Sequence, residues 1–486
     1  MLDRRKFYID GAWVAPSAPN DFAVIDPSTE EEVATISLGA QADTDAAVAA
    51  ARAAFEPWAA LSMAERIGYL EKLLAAYEAR AGEMSEAISL EMGAPIDWSR
   101  GEQAPAGIGH IQNAIKAAKS FDPVRMLRPD APEDRILMDP IGVVGMITPW
   151  NWPMNQVALK VPYAAVVGCT MVLKPSEVAP LSSALFAEMI DEAGWPKGVF
   201  NMVQGDGAGV GTQLSVHPEV DMISFTGSTR AGIAITKASA DTLKRVSLEL
   251  GGKGANLVFA DADERAVRRG ARQVFNNTGQ SCNAPTRMLV ERSIYDDAVE
   301  IARETAEKTS VASAHEEGRH IGPVVSQVQW DKVQGLIQTG IDEGARLVAG
   351  GLGRPEGLNR GYFVRPTVFA DVTNDMTIAR EEIFGPVLSI IPFEDEAEAL
   401  QIANDTAYGL TNYVQTADPA RRVRLAKRLR SGMVEMNGRS RAAGAPFGGV
   451  KGSGNGREGG VWGLEEFCEV KAVAGWPADS DSLAAE

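Results

Sequence analysis

The chain has 486 residues, with 47 Lys and Arg against 65 Asp and Glu, a formal net charge of -18 and 45% hydrophobic residues. At roughly 150 residues per domain the length suggests about three domains, and the apolar content excludes wholesale disorder. An acidic chain without a basic stripe excludes a nucleic-acid partner, and 3 cysteines cannot build a disulfide framework, which points to a reducing compartment.

The first thirteen residues carry charges but no apolar core, so they do not read as a secretory signal. Residues 43–119 read as helical. Ser62 and Glu65 fit a capping box, apolar residues from Ile67 to Tyr77 recur at helical spacing, and Gly93 with Pro95 ends the pattern. The longest apolar stretch lies between Lys160 and Lys174. At about 13 residues it falls short of the about 20 that a membrane span needs, so a soluble, cytoplasmic protein without membrane contact is expected. No metal is expected either. His110 and His217 are isolated, and His315 and His320 stand five apart where a helical metal pair wants three or four, so all read as solvated surface histidines.

From 141 to 259 short β-rich runs (Val143–Ile147, Met171–Leu173, Phe200–Val203, Met222–Phe225, Asn256–Phe259) alternate with helices near 180–193, 207–215 and 229–240. That alternation predicts a parallel sheet with crossover helices, which binds ligands at the carboxyl ends of its strands. A second series follows Gly251. Its strand candidates are Met288–Glu291, Phe363–Phe369, Val387–Pro392, Thr411–Gln415 and Met433–Met436, with helices near 262–276, 294–309, 327–343 and 418–430. A second α/β domain is therefore expected over about 251–450, and the acidic tail from Pro477 is expected to fray.

The cysteines differ in setting. Cys169 sits in an apolar run and reads as a buried small hydrophobe, and nothing marks Cys468 as activated. Cys282 lies in a polar stretch, Asn276–Pro285, that a turn would present, so it stands open between a nucleophile and a structural thiol. No histidine is placed to pair with it. A carboxylate in a pKa-raising environment would serve instead, and Glu249, ending an apolar run before Gly251 and Gly252, is the candidate, unless it merely pairs with Lys253. The turn Phe225–Gly232 leads from strand to helix and suits an anion, although it does not match G-x-G-x-x-G and a plain tight turn explains its glycines equally. Lys174 and Glu177, at the end of another strand, suit ribose hydroxyls.

Taken together these pieces resemble the aldehyde dehydrogenase superfamily from about residue 7 to residue 475. Seven marks stand in order: Thr148–Pro153, Leu173–Glu177, Phe225–Ser228, Leu248–Lys253, Gly279–Cys282, Glu381–Pro386, and Pro446–Lys451 with Ser453 and Gly454. The resemblance implies an α/β fold with a Rossmann-type NAD-binding domain (1–121 and 141–250), a second α/β catalytic domain (251–450) and a small β oligomerisation element (122–140 and 451–486). It implies NAD-dependent oxidation of a small-molecule aldehyde to a carboxylate by a homodimer or homotetramer. Cys282 would be the nucleophile, Glu249 the base for the deacylating water, and Asn151 the oxyanion donor beside the Cys282 backbone N–H. Ile147, Thr148, Trp150, Lys174, Ser176, Glu177, Gly207, Gly227, Ser228, Glu382 and Phe384 would bind the cofactor. Trp152 would meet the substrate, and Arg439 and Arg441, in the substrate-entrance segment, are candidates to do so.

The chain departs from the pattern in two places. Pro285 follows the nucleophile loop and stiffens it. Arg439 and Arg441 occupy a segment where aromatic residues are usual, either as a clamp for a carboxylate-bearing aldehyde or as plain surface arginines. Glu177 favours NAD over NADP, since a carboxylate repels a 2′-phosphate. The retained Glu249 argues against a CoA-acylating relative, and Cys282, Asn151 and Glu249 together argue against a catalytically silent paralogue.

Overall fold

The computed structural model describes residues 1–477, so the expected fraying of the acidic tail falls outside the described residues. The first sheet has seven strands, in the order Arg245–Glu249, Met222–Thr226, Val143–Ile147, Thr170–Lys174, Phe200–Met202, Phe7–Ile9 and Ala12–Val14. Its first five strands are parallel, and the last two are added antiparallel at one edge. The parallel strands run inside-out from Val143–Ile147. Two successors lie on one side of it and two on the other, so the order reverses between Val143–Ile147 and Met222–Thr226. A crevice opens at the carboxyl ends of strands where the order reverses in this way.

Alternate residues on these strands enter different cores. Val144, Met146, Met171, Leu173 and Met222 pack against the helices Met63–Ala79, Ala81–Met92 and Ala104–Ala118. Val143, Ile147, Val172, Ile223 and Phe225 pack with Ala47, Val48 and Ala51 of the helix Gln41–Ala59. The period-two alternation of strand side chains thus fills both faces of a covered parallel sheet, which is why these runs are apolar throughout. The expected capping box is formed at the start of Met63–Ala79. Ser62 N–H donates to Glu65 Oε2 at 2.7 Å, and Glu65 N–H donates to Ser62 Oγ at 3.2 Å.

The second sheet also has seven strands, in the order Arg346–Ala349, Thr367–Ala370, Val387–Phe393, Arg287–Glu291, Ala255–Val258, Thr411–Gln415 and Met433–Met436. All neighbours are parallel except the first pair. The strand expected at 363–369 begins only at Thr367, because Pro366 before it has no N–H to give to a ladder. The edge strand Arg346–Ala349 and the helix Glu396–Asn404 were absent from the sequence reading. Residues 250–254 carry the chain from the carboxyl end of Arg245–Glu249 to the amino end of Ala255–Val258. The crevice of the first sheet therefore faces the starting edge of the second.

A three-stranded antiparallel sheet joins Val124–Arg128, Ala131–Pro140 and Cys468–Val473. Its apolar side chains Met126, Leu127 and Val470 are 50%, 51% and 66% exposed. Cys169 is fully buried, as its apolar setting predicts, with its thiol facing the Phe467 carbonyl.

Candidate active site

Two loops from the crevice and one from the second sheet meet here. Trp150, Asn151 and Trp152 follow Val143–Ile147, and Gly227 and Ser228 follow Met222–Thr226, one loop on each side of the point where strand order reverses. Cys282 arrives from the other side, on the turn between the helix Ala266–Phe275 and the strand Arg287–Glu291. Three consecutive left-handed residues shape that turn: Asn277 (φ 52°), Thr278 (φ 56°) and Gly279 (φ 73°). A Cβ at Gly279 would stand 2.0 Å from the Gly385 carbonyl oxygen, so only glycine fits. Non-glycine residues in this conformation cost about 1–3 kcal/mol each, and buried hydrogen bonds hold them there. Gln103 Nε2 donates to Asn277 Oδ1 (2.9 Å) and to the Asn151 carbonyl (3.1 Å). Asn277 Nδ2 donates to the Asn151 and Gln280 carbonyls (3.0 and 3.1 Å). This amide lattice locks the Asn151 and Cys282 loops to each other.

Two cavities meet at Cys282. One, of about 190 Å³, is lined by Trp150, Asn151, Gly227, Glu249, Glu382 and Phe384 among others. The second, of about 300 Å³, has His110, Trp152, Asn155, Arg441, Phe447 and Glu458 in its wall. The smaller cavity shares Trp150 and Gln329 with a third, of about 440 Å³, that reaches Ser176 and Glu177. A continuous cleft therefore runs from Glu177 past Ser228 to Glu382, and Cys282 separates it from the pocket beyond.

The Cys282 thiol is pushed up to about 12, first by burial and then by the Glu382 and Glu249 carboxyls. Burial and the Glu458 carboxylate raise Glu249 well above the usual carboxylate range, with Lys160 and Arg457 pulling the other way. Neither oxygen of Glu249 has a hydrogen-bond partner among the described residues, and Lys253 Nζ has none either, so the alternative of a Glu249–Lys253 pair is not realised. Cβ atoms at Gly448 and Gly456 would stand 2.7 and 2.9 Å from Glu249 Oε1, so these glycines make room for the carboxyl. Behind it Lys160 and Glu458, 1% and 4% exposed, form a hydrogen-bonded ion pair. Asn151 Nδ2 spends one N–H on the Gln280 carbonyl at 2.9 Å and keeps a second.

The proposed cofactor residues fall into two groups. Trp150, Ser176, Glu177, Gly227, Ser228, Glu382 and Phe384 line the cleft. Ile147, Thr148, Lys174 and Gly207 line none of the three cavities. Lys174 is 3% exposed, its amine donating to the Gly205 carbonyl at 2.7 Å and lying 3.5 Å from Glu177 Oε2. Ser228 caps the eleven-residue helix Thr229–Ser239, its Oγ accepting from Ala231 N–H, which leaves the positive helix end facing the cleft. Trp150 and Phe384 stack edge to face at 5.4 Å. Glu382 Oε1 accepts from Gly252 N–H at 2.8 Å, which orients the carboxylate and leaves Oε2 for a ligand. Thr226 Oγ1 is buried without a partner at the same place. A carboxylate, a helix start and a second carboxylate along one narrow cleft fit a dinucleotide.

Of the three residues assigned to substrate, Trp152 and Arg441 line the pocket beyond Cys282, and Arg439 does not. His110 departs from the sequence expectation. It is not a solvated surface histidine but a wall of that pocket, with Nε2 2.7 Å from Asn155 Oδ1, because the helix Ala104–Ala118 packs this face toward the helix Pro153–Ala158. Sequence reading also missed Gln103, Asn277, Lys160 and Glu458. Lys160 left one trace, as the only charge between Met154 and Leu173. The others come together only through the fold.

The chain resembles known proteins over nearly its whole length. Residues 13–473 match the model of the aldehyde dehydrogenase family. A curated Pseudomonas relative, 3-succinoylsemialdehyde-pyridine dehydrogenase, is 51% identical over 478 residues, covering 98% of this chain and 99% of the relative. The crystal structure of a Bartonella henselae aldehyde dehydrogenase superposes with a TM-score of 0.97 at 59% identity, covering 98% of this chain and 100% of that one. A Pseudomonas syringae aldehyde dehydrogenase, solved as a cysteine variant with NAD+ and octanal, gives 0.95 at 46% identity with 97% of each chain covered. With both sheets, the cleft and a cysteine at the meeting of two cavities in place, this chain belongs to the aldehyde dehydrogenase family.

Proposed function

We infer that the protein oxidises an aldehyde to a carboxylate with NAD, through a thioester on Cys282. The observation that carries this reading is that Cys282 is the point where the dinucleotide cleft and the pocket meet, with Glu249 and Asn151 on the cleft side. The Cys282 thiol gives its proton to water, and the sulfur attacks the aldehyde carbon. The oxygen that gains charge faces the free N–H of Asn151 Nδ2 and the Cys282 backbone N–H, each worth roughly 3–4 kcal/mol in comparable oxyanion sites. NAD, when bound in the cleft, supplies the hydride acceptor. Glu249 then takes a proton from water, whose oxygen displaces the Cys282 sulfur from the acyl carbon and releases the carboxylic acid. Appearance of NADH absorbance on mixing protein, NAD and propanal or benzaldehyde tests the reading, and its absence across such a panel refutes it.

Glu177 decides the cofactor. A 2′-phosphate beside it places two like charges together, a cost of order 1 kcal/mol in a partly screened cleft. Glu177→Ser is expected to raise kcat/KM for NADP by roughly tenfold. Equal use of NAD and NADP by the unaltered enzyme would contradict this role.

Rate is expected to rise with pH, because the thiol and the Glu249 carboxyl are both held protonated above their ordinary ranges. Glu458 is among the groups that raise Glu249, and Lys160 opposes it. In Glu458→Gln the raising charge goes and Lys160 is left unmatched, so Glu249 ionises at lower pH. The rising limb of the kcat–pH profile should therefore move to lower pH. A limb that stays in place removes the pair from the account.

The exposed apolar side chains of the sheet 124–140 and 468–473 support a homo-oligomer built across that sheet, as a dimer or tetramer. No helix among the described residues is long and apolar enough to cross a membrane. The free thiols of Cys169, Cys282 and Cys468 suit a reducing, cytoplasmic setting.

A further inference from the structure

The pocket beyond Cys282 has polar and apolar side chains in its wall, and the arginine among them is already matched. Arg441 Nε donates to Glu435 Oε1 at 2.9 Å, and the Glu435 side chain is only 12% exposed. Phe447 supports the guanidinium from one side, with its ring centroid 5.1 Å from Cζ. Neither Nη group of Arg441 has a partner among the described residues, so the group offers donors while its charge is balanced. Behind the wall, Lys160 is taken by Glu458. His110 is held neutral by burial. Its Nε2 lies 2.7 Å from Asn155 Oδ1, an acceptor for the Nε2–H tautomer, and Asn155, whose Nδ2 has no partner among the described residues, lines the same pocket.

A ligand carboxylate entering this space would lose its water and meet an arginine whose charge Glu435 already balances. A neutral acceptor pays far less desolvation and takes the same N–H groups. We propose that the preferred substrate is an uncharged aldehyde carrying a second acceptor, a ketone, that the Arg441 Nη groups and Asn155 Nδ2 hold while Cys282 meets the aldehyde carbon. The proposal rests on the oxidation reading above. The rival occupant is a carboxylate-bearing aldehyde, drawn by Arg268 and Arg272, which with Glu435 line a separate cavity of about 740 Å³.

The test uses the full enzyme with NAD and three aldehydes of similar length: pentanal, 4-oxopentanal and 4-oxobutanoate. The expected kcat/KM order places 4-oxopentanal about tenfold or more above pentanal, with 4-oxobutanoate lowest. In Arg441→Met the ratio of 4-oxopentanal to pentanal should fall to near one. Glu435→Gln, which frees the guanidinium charge, should raise 4-oxobutanoate relative to pentanal. Asn155→Leu, a second variant outside the Arg441–Glu435 pair, should cut the ketone preference about threefold. A wild-type preference for 4-oxobutanoate establishes the rival, and a ketone preference that survives both Arg441→Met and Asn155→Leu overturns the proposal. Turnover of pentanal without any ketone preference overturns it while leaving the oxidation reading intact. Absence of turnover with all three aldehydes fails the oxidation reading itself.

Discussion

Cys282→Ala is expected to abolish aldehyde oxidation, lowering kcat by about 10⁴-fold or more, because removing a nucleophile removes the whole covalent route. The neighbouring lattice argues that the loss will be chemical rather than structural. The turn around Cys282 is held by Gln103, Asn277 and Asn151, and none of their bonds uses the thiol. Thermal unfolding of the variant should therefore stay close to that of the parent. NADH formation is the measurement. Residual turnover within tenfold of the parent would show that another group, such as Cys468 or a water, carries the reaction. Cys169 and Cys468 are 0% and 2% exposed, so neither reaches the cleft without unfolding its surroundings.

Asn151→Ala is expected to lower kcat by about 10²–10³-fold, the range seen when one preorganised oxyanion donor is removed. The expected loss lies mainly in kcat, since the second N–H of Nδ2 acts on charge that develops only in the transition state. The amide also holds the Gln280 carbonyl at 2.9 Å, so some stability is lost as well. Loss of one buried hydrogen bond costs about 1 kcal/mol, far less than the expected effect on kcat. A change confined to KM would mean that Asn151 orders the loop and does no more.

Much of the fold was legible because buried parallel strands leave an unmistakable trace. Val143–Ile147, Thr170–Lys174 and Met222–Thr226 feed cores on both faces and must be apolar along their length. Arg346–Ala349 left no such trace, since an edge strand with its first two residues exposed need not be apolar. At the site, Cys282 in a polar turn and Glu249 before two glycines stand out as candidates, while their roles come from the family resemblance alone. His110 does not stand out, because nothing in the helix Ala104–Ala118 tells which face Asn155 will cover. Arg441 was noticed in sequence as a charge, but its meaning depends on Glu435, six residues earlier and on another element, which cancels that charge.

The central claim is that Cys282 and Glu249 divide the reaction, one forming the acyl bond and the other supplying water to break it. Glu249→Gln separates the two halves. Mixed with NAD and excess propanal, this variant should release about one equivalent of NADH per active site and then stall. Mass spectrometry of the stalled protein should find the propanoyl group on the peptide containing Cys282. Steady turnover without an adduct, or an acyl group on Cys169 or Cys468, would contradict the account.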